Sequence, residues 1–411
     1  MHGMLFSKFL LTFPTDCFIV RIIKCGFDFT FCCRRNGWRK TAAVGRRNCP
    51  DRAERVKGML PIKKAKIEKV STVLTESDGD LWPCAWGDDD MLYTANGDGK
   101  GFDLSAPWTD IVVNRIEGMP GSLKGERLTG TEGVGPVFAD PEKYNRKPTG
   151  MLCAGGVLYL AVQNLNKCPE HGIFDDVPCA TICMSRDKGR TWEFDPKAPM
   201  FDHYQFTTIM FLDYGKNNEA SPDGYVYAYG LDYNWRASFC KSVKDPVDLF
   251  LARVEPSKVM DREAWEFFAG QKEGKPVFVR DISQKVPVLT DARRVPVKPP
   301  KDLADKPMGM SVISQGSVVY NAPLQRYLYT SWTENTFEFY ESPTPWGPFT
   351  RFFSYDFGFY PWGEECYGGY ATVIPSKFIS EDGKTMYVVS ATFAGGVKSY
   401  AFHMRRLQVE L

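Results

Sequence analysis

Residues Asp88–Gly99 read "DDDMLYTANGDG", a turn of acids leading into an apolar run with a tyrosine at its centre. The phrase returns four times: "AGGVLYLAVQN" around Tyr159, "SPDGYVYAYGLD" around Tyr227, "APLQRYLYTSW" around Tyr329 and "EDGKTMYVVSATF" around Tyr387. Counted from Tyr93, the tyrosines are 66, 68, 102 and 58 residues apart. Each phrase leaves a turn and then alternates or runs apolar, which is how a strand reads. Other short extended pieces lie between the phrases, such as "TICMSRDKGRTWEFD" and "FEFYESPTPWGPFTRFF". Four strands per unit, repeated five times, is the arithmetic of a β-propeller. The expected fold is therefore all-β, a five-bladed β-propeller. A β-sandwich is the competing architecture, but near-equal units favour blades.

The wide third gap carries "DREAWEFF" (Asp261–Phe268), which reads as a short helical insertion, and the Pro/Lys-rich loop "VPVKPPKDLADKPMGM". "SRDKGRTW" (Ser185–Trp192) fits the Asp-box pattern Ser-x-Asp-x-Gly-x-Thr-Trp. In it Asp187 would cap the turn, Gly189 would take a conformation costly for other residues, and Trp192 would anchor the hairpin. Asp187 is thus expected to be structural and is kept out of the site.

Composition is that of a globular chain: 411 residues, 43% hydrophobic and 25% charged, with aromatics at 14%. Flat rings at that abundance suit pleated sheets. The net charge of +1 gives no nucleic-acid signature. Charge is uneven, because Met1–Gly58 holds 12 Lys and Arg against 4 Asp and Glu. No uninterrupted apolar run reaches the roughly 20 residues that a bilayer span needs. "LFSKFLLTF" is at best a weak secretion signal, broken by Pro14 and Asp16. Residues 1–65 are read as a basic leader outside the fold, disordered or non-native, with folding expected to begin near Met59. The propeller is counted over 66–411. Location, secreted or cytoplasmic, stays open, and a monomer is expected. Seven of the twelve cysteines lie beyond the leader. Free thiols or one local disulfide fit them better than a zinc set of Cys168, His171, Cys179 and Cys183, whose spacings are loose.

Glycoside hydrolysis needs two carboxyls across the scissile bond, and propeller loops can gather acids from distant blades. Asp80 stands before "LWP", at the start of the first inner strand. Asp98 follows that strand between glycines, and Asp232 ends "GYVYAYGLD" in the third. Glu365 lies in the aromatic, glycine-rich "YPWGEECYGGY", where a dry neighbourhood could raise a proton donor. Each also has a plain reading as a turn or surface acid. Trp82, Trp86, Trp235, Trp362 and Tyr367 could stack on sugar faces, or pack in the core. Lys147 in "NRKPTG" and His203 in "FDHYQF" could touch substrate, or be an exposed lysine and a structural histidine. No cofactor is required. Calcium could sit among clustered carboxylates, but no calcium-loop motif is present.

"DLWPCAWGDDDMLYTANGDGKGF" resembles the opening blade of an uncharacterised five-bladed β-propeller family, domain of unknown function 4185, that includes mycobacterial and phage endo-D-arabinanases and is related in fold to sialidases and arabinanases. The resemblance continues through "RKPTGMLCAGGVLYLAVQN", "FLDYGKNNEASPDGYVYAYGLD", "VVYNAPLQRYLYTSW" and "IPSKFISEDGKTMYVVSA", and covers roughly residues 70–410. It implies an acid at Asp80 and another at Asp232, and a glycoside hydrolase acting on a polysaccharide, with an arabinan as one candidate. Two alternatives stay open. One is a non-catalytic glycan-binding propeller. The other is a polysaccharide lyase using His203 and Lys147.

Overall fold

The computed structural model describes residues 18–24, 27–34, 37–40, 60–69, 72–138, 143–167, 174–297, 308–358, 369–392 and 400–411. The chain divides into two compact units, Met1–Lys57 and Gly58–Leu411. In the first, Phe18–Lys24, Phe27–Arg34 and Gly37–Lys40 form a three-stranded antiparallel sheet. The division falls ahead of residue 66. Lys64–Ile67 is a strand that pairs with Met404–Glu410, and Ile62 and Ile67 are buried in the core. Counting the folded domain from 66 would cut that strand in two.

The second unit is all-β, built from curled antiparallel sheets. Asp78–Asp80, Cys84–Trp86, Leu92–Gly101, Thr109–Glu117 and Lys124–Thr129 make one sheet, and Tyr144–Ala154, Val157–Asn166 and Cys179–Ser185 a second. Thr208–Asp213, Val226–Leu231, Asp248–Val254, Glu266–Lys272 and Lys275–Val279 follow in series, and then Ser317–Asn321, Arg326–Trp332, Thr336–Ser342 and Thr350–Asp356. These last two series are joined edge to edge by a short parallel pairing, Leu212 to Val318 and Asp213 to Val319. Gly369–Val373, Thr385–Thr392 and Met404–Glu410 form the closing sheet, which Lys64–Ile67 completes from the other end of the chain. Turn chemistry sets the hairpins. Ala154 pairs with Val157 across Gly155–Gly156, both at positive φ, a two-residue loop whose twist matches the strands.

Inner strands of these five groups converge. Cys84, Met151, Met210, Val318 and Val373, one from each, line a single cavity of about 20 Å³. The five tyrosine phrases do not face it. In each group they form the strand that pairs with the innermost one, 92–101, 157–166, 226–231, 326–332 and 385–392, so the innermost strand is the one before each phrase. The expected helix in "DREAWEFF" is also absent. Arg262–Ala264 is a single 3-10 turn capped by Asp261, and Glu266–Lys272 is a strand. Trp265 and Phe267, at alternate positions, are both fully buried, a period of two that overrides helical propensity.

The turn Ser185–Trp192 is knit by Asp187. Its Oδ1 accepts from Ser185 Oγ (2.8 Å), Arg190 N (3.0 Å) and Thr191 N (2.9 Å), and its Oδ2 from Thr191 Oγ1 (2.7 Å). Gly189 sits at φ +87°, and buried Trp192 donates its indole N–H to Gly189 O at 3.1 Å. No helix among the described residues is long and apolar enough to cross a membrane.

Candidate functional site

Asp80 closes the strand Asp78–Asp80 and is 2% exposed. Leu81 and Trp82 then take positive φ, a sharp corner that turns the chain toward Cys84–Trp86. Asp98 lies opposite, on Leu92–Gly101, itself at φ +41°. Between them comes Lys147, from the next sheet, beside the bulge at Pro148. Its Nζ is 3.2 Å from each Asp80 oxygen and 2.5 Å from Asp98 Oδ2. Gly97 makes this approach sterically feasible: a Cβ there would stand 2.4 Å from Asp80 Oδ1 and 2.9 Å from Lys147 Nζ. Burial opposes the Lys147 charge, but Asp80 and Asp98 outweigh it and hold the ammonium above its ordinary pKa. Two carboxylates thus share one cation. Asp98 Oδ1 is sealed from solvent with no hydrogen-bond partner among the described residues.

A polar chain leads away from this cluster. Thr208 Oγ1 donates to Gln163 Oε1 (2.7 Å), Gln163 Nε2 to Gln315 Oε1 (3.0 Å), and Gln315 Nε2 to Pro148 O (3.1 Å). Gln315 N donates to Trp235 O at 2.6 Å. Next to Trp235, Arg236 meets two acids that the sequence reading missed: Asp175 at 3.4 Å and Glu334 at 3.7 Å. Burial raises the Glu334 carboxyl, Arg236 pulls it down and Asp175 pushes it up again; the net shift is upward. A signal for Glu334 existed. It follows the fourth phrase strand, Arg326–Trp332, much as Asp232 follows the third, Val226–Leu231.

The structure brings together Asp80, Asp98 and Lys147, and separates the others from them. Asp232 accepts Phe206 N at 2.8 Å and pairs with Lys285 Nζ at 3.0 Å, with no contact to Asp80 or Asp98 among the described residues. Positive φ at His203, Tyr204 and Phe206 coils the preceding turn so that the Phe206 N–H meets this carboxylate. Trp82 is fully buried between Phe102 and Phe402, with ring centroids 5.8 and 5.5 Å away, so it is core and offers no face to a sugar. Trp235 is 7% exposed and packs on Trp332. Trp86 pairs with Leu92 whereas Asp80 pairs with Gly97, which puts them roughly 16 Å apart along the strand. Its indole donates to Asp90 and lies under Lys377. His203 has an 80% exposed side chain and leans on Asp202 at 2.9 Å, a surface pair. Glu365, Trp362 and Tyr367 lie outside the described residues. Cys84, Cys153, Cys179 and Cys183 are free and buried, and Cys240 is disulfide-bonded.

The family model described as a domain of unknown function (DUF4185) matches residues 136–402, more than half of the chain, and the chain belongs to that family. No curated protein matches. Among solved structures, the chain is similar to an endo-1,4-beta-xylanase from Bacteroides thetaiotaomicron, with 9% identity and a TM-score of 0.42, over 86% of this chain and 95% of that one. A mutant of Trypanosoma rangeli sialidase displaying trans-sialidase activity matches at 9% identity and TM-score 0.37, over 97% and 53%. The polysaccharide lyase Uly1 matches at 11% and 0.30, over 80% and 57%. The chain therefore spans little more than half the length of the sialidase and of the lyase.

Proposed function

We propose that the chain is a five-bladed β-propeller that hydrolyses glycosidic bonds in an oligo- or polysaccharide, with an arabinan as the first substrate to try. Five groups of strands sharing one axial cavity, and closure of the last by Lys64–Ile67, support the blade count. The knitted turn at Asp187 would be its Asp-box. The observation that carries the activity is the convergence of Asp80 and Asp98 on the buried ammonium of Lys147, with the Asp98 side chain still 28% exposed. In this reading Asp98 takes the proton of the water that adds to the anomeric carbon. Asp80, held by Lys147, fixes the geometry and the charge.

The lyase alternative has less support, since the His203 side chain is 80% exposed beside Asp202 and Lys147 is paired with two acids. Incubation with arabinan, galactan and uronic-acid polymers tests the proposal. New reducing ends without unsaturated-sugar absorbance are expected, and Asp98→Asn should abolish them. Unsaturated products would instead make it a lyase. Binding without cleavage, unchanged in Asp98→Asn, would make it a lectin.

A further inference from the structure

Asn96 and Asn114 are fully buried on a sheet face that also carries Leu92 and Ile116, which pack in the apolar core. Buried amides cost stability unless their polar atoms are met, and here all four are. Asn114 Nδ2 donates to Asn96 Oδ1 at 2.9 Å, and Asn114 Oδ1 accepts Phe102 N at 3.1 Å. Asn96 Nδ2 donates to Asp78 O and to Gly97 O, both at 3.2 Å. Those two carbonyls belong to different strands. Asp78 lies on the strand that ends at Asp80, and Gly97 on the one that carries Asp98. One amide therefore joins the two backbone segments that bear the paired acids.

The segments need such a clamp. Asp80 pairs with Gly97 and Asp78 with Gly101, so four steps of one strand run opposite two of the other. Asp98 lies inside this bulge, at φ +41°. A bulge interrupts the ladder hydrogen bonds that would otherwise fix the register. Gly79 crosses directly over the amide, where a Cβ would collide with Asn96 Nδ2. The bulge carries Asp98 to the Lys147 ammonium that Asp80 also meets, and the amide pair holds its shape.

We propose that Asn96, backed by Asn114, is the positioning pair of the site: it sets where Asp80 and Asp98 stand on Lys147, and it deepens the glycoside-hydrolase reading, on which it rests. Both asparagines are sealed in the sheet and touch neither substrate nor the transferred proton. Their effect reaches the reaction through the aim of the Asp98 carboxylate, which a displacement of about 1 Å would spoil.

The test compares wild type with Asn96→Ala, Asn114→Ala and Leu251→Ala, a core truncation in another sheet that serves as the control for lost stability. Each is measured at the same distance below its own melting temperature. One readout is the steady-state rate on the polysaccharide that wild type cleaves. The other is acetylation of Lys147 by acetic anhydride, followed by peptide mass spectrometry. Lys147 is buried and held by two carboxylates, so wild type should resist acetylation. Asn96→Ala should lose about 100-fold in kcat with KM nearly unchanged, and its Lys147 should acetylate faster than in the control. Asn114→Ala should do the same to a smaller extent. The double variant should be no worse than Asn96→Ala, because the two act as one unit. Leu251→Ala should stay near wild type in both readouts.

If Asn96→Ala and Leu251→Ala behave alike, the asparagines contribute stability alone and the proposal is overturned. Faster acetylation with an unchanged kcat overturns it too. If wild type cleaves no polysaccharide, the hydrolase reading falls, and acetylation alone then decides whether the amide pair holds Lys147 between its acids. If Asn96→Ala does not fold, Asn114→Ala carries both readouts, since it removes only the donor that orients the clamp.

Discussion

Two aspartates beside glycines, Asp187 and Asp98, are alike on paper and opposite in the fold. The donors to Asp187 come from residues at most four positions away in its own turn. Burial alone would raise its carboxyl, but hydrogen bonds from Thr191, Ser185 and Arg190 prevail and hold it at about 2. Asp98 draws its partner, Lys147, from another sheet, and keeps one oxygen without a hydrogen bond among the described residues. A locally saturated acid shapes a turn. An acid held by a distant buried cation has been placed there by the whole fold, and the Asp98 side chain, 28% exposed, can still be reached from outside.

The strongest way to break this contrast is to remove the cation. Lys147→Ala takes away the buried ammonium that Asp80 and Asp98 share, and should cost about 3–5 kcal/mol in urea unfolding. A loss below about 1 kcal/mol would mean that water already screens the cluster. Trp82→Ala, which empties the aromatic pocket behind Asp80, should cost a similar amount, about 3–5 kcal/mol. Trp86→Ala should cost under about 1 kcal/mol, since Trp86 is only partly buried.

Exchanging the carboxyls themselves sharpens the comparison. Asp98→Asn should lower the rate on a cleaved polysaccharide by about 100-fold or more with stability unchanged or slightly improved, because one of two like charges disappears. Asp187→Asn should do the reverse, losing about 1 kcal/mol of stability once solvent screening is allowed for, with the rate intact. If both variants lose rate equally, local and distant partnering do not separate structure from function in this fold.

Much of this was legible before any coordinates. Repeated turn-then-strand phrases gave an all-β reading, and Asp80, Asp98 and Lys147 were each singled out. That Lys147 joins the two acids was not visible, because the contact spans 67 residues and sequence holds no trace of it. The phrases read as inner strands because they are the most apolar runs. Yet the strand that pairs with the inner one is flanked on both edges, and needs apolar faces as much as the inner one does. "DREAWEFF" misled through helix-forming residues whose period of two was the truer sign. Trp82 and Trp235 looked like sugar platforms because a tryptophan next to an acid reads the same whether its ring faces a cleft or a core.

The smallest effect concerns pH. Asp187 is depressed to about 2 from an ordinary value of about 3.9, so the folded state binds its proton less readily than the unfolded chain does. Its contribution is complete above about pH 4 and disappears as pH falls toward about 2. Glu334 has the opposite sign: its carboxyl is raised, so its share of stability is intact at low pH and is lost as pH rises through its folded value. Urea midpoints of wild type and Asp187→Asn, followed downward from pH 5, should therefore converge, while those of wild type and Glu334→Gln move relative to each other on the alkaline side. A wild type minus Asp187→Asn difference that stayed constant down to pH 2 would show that the turn is held by its glycine and tryptophan, with the carboxylate contributing nothing of its own.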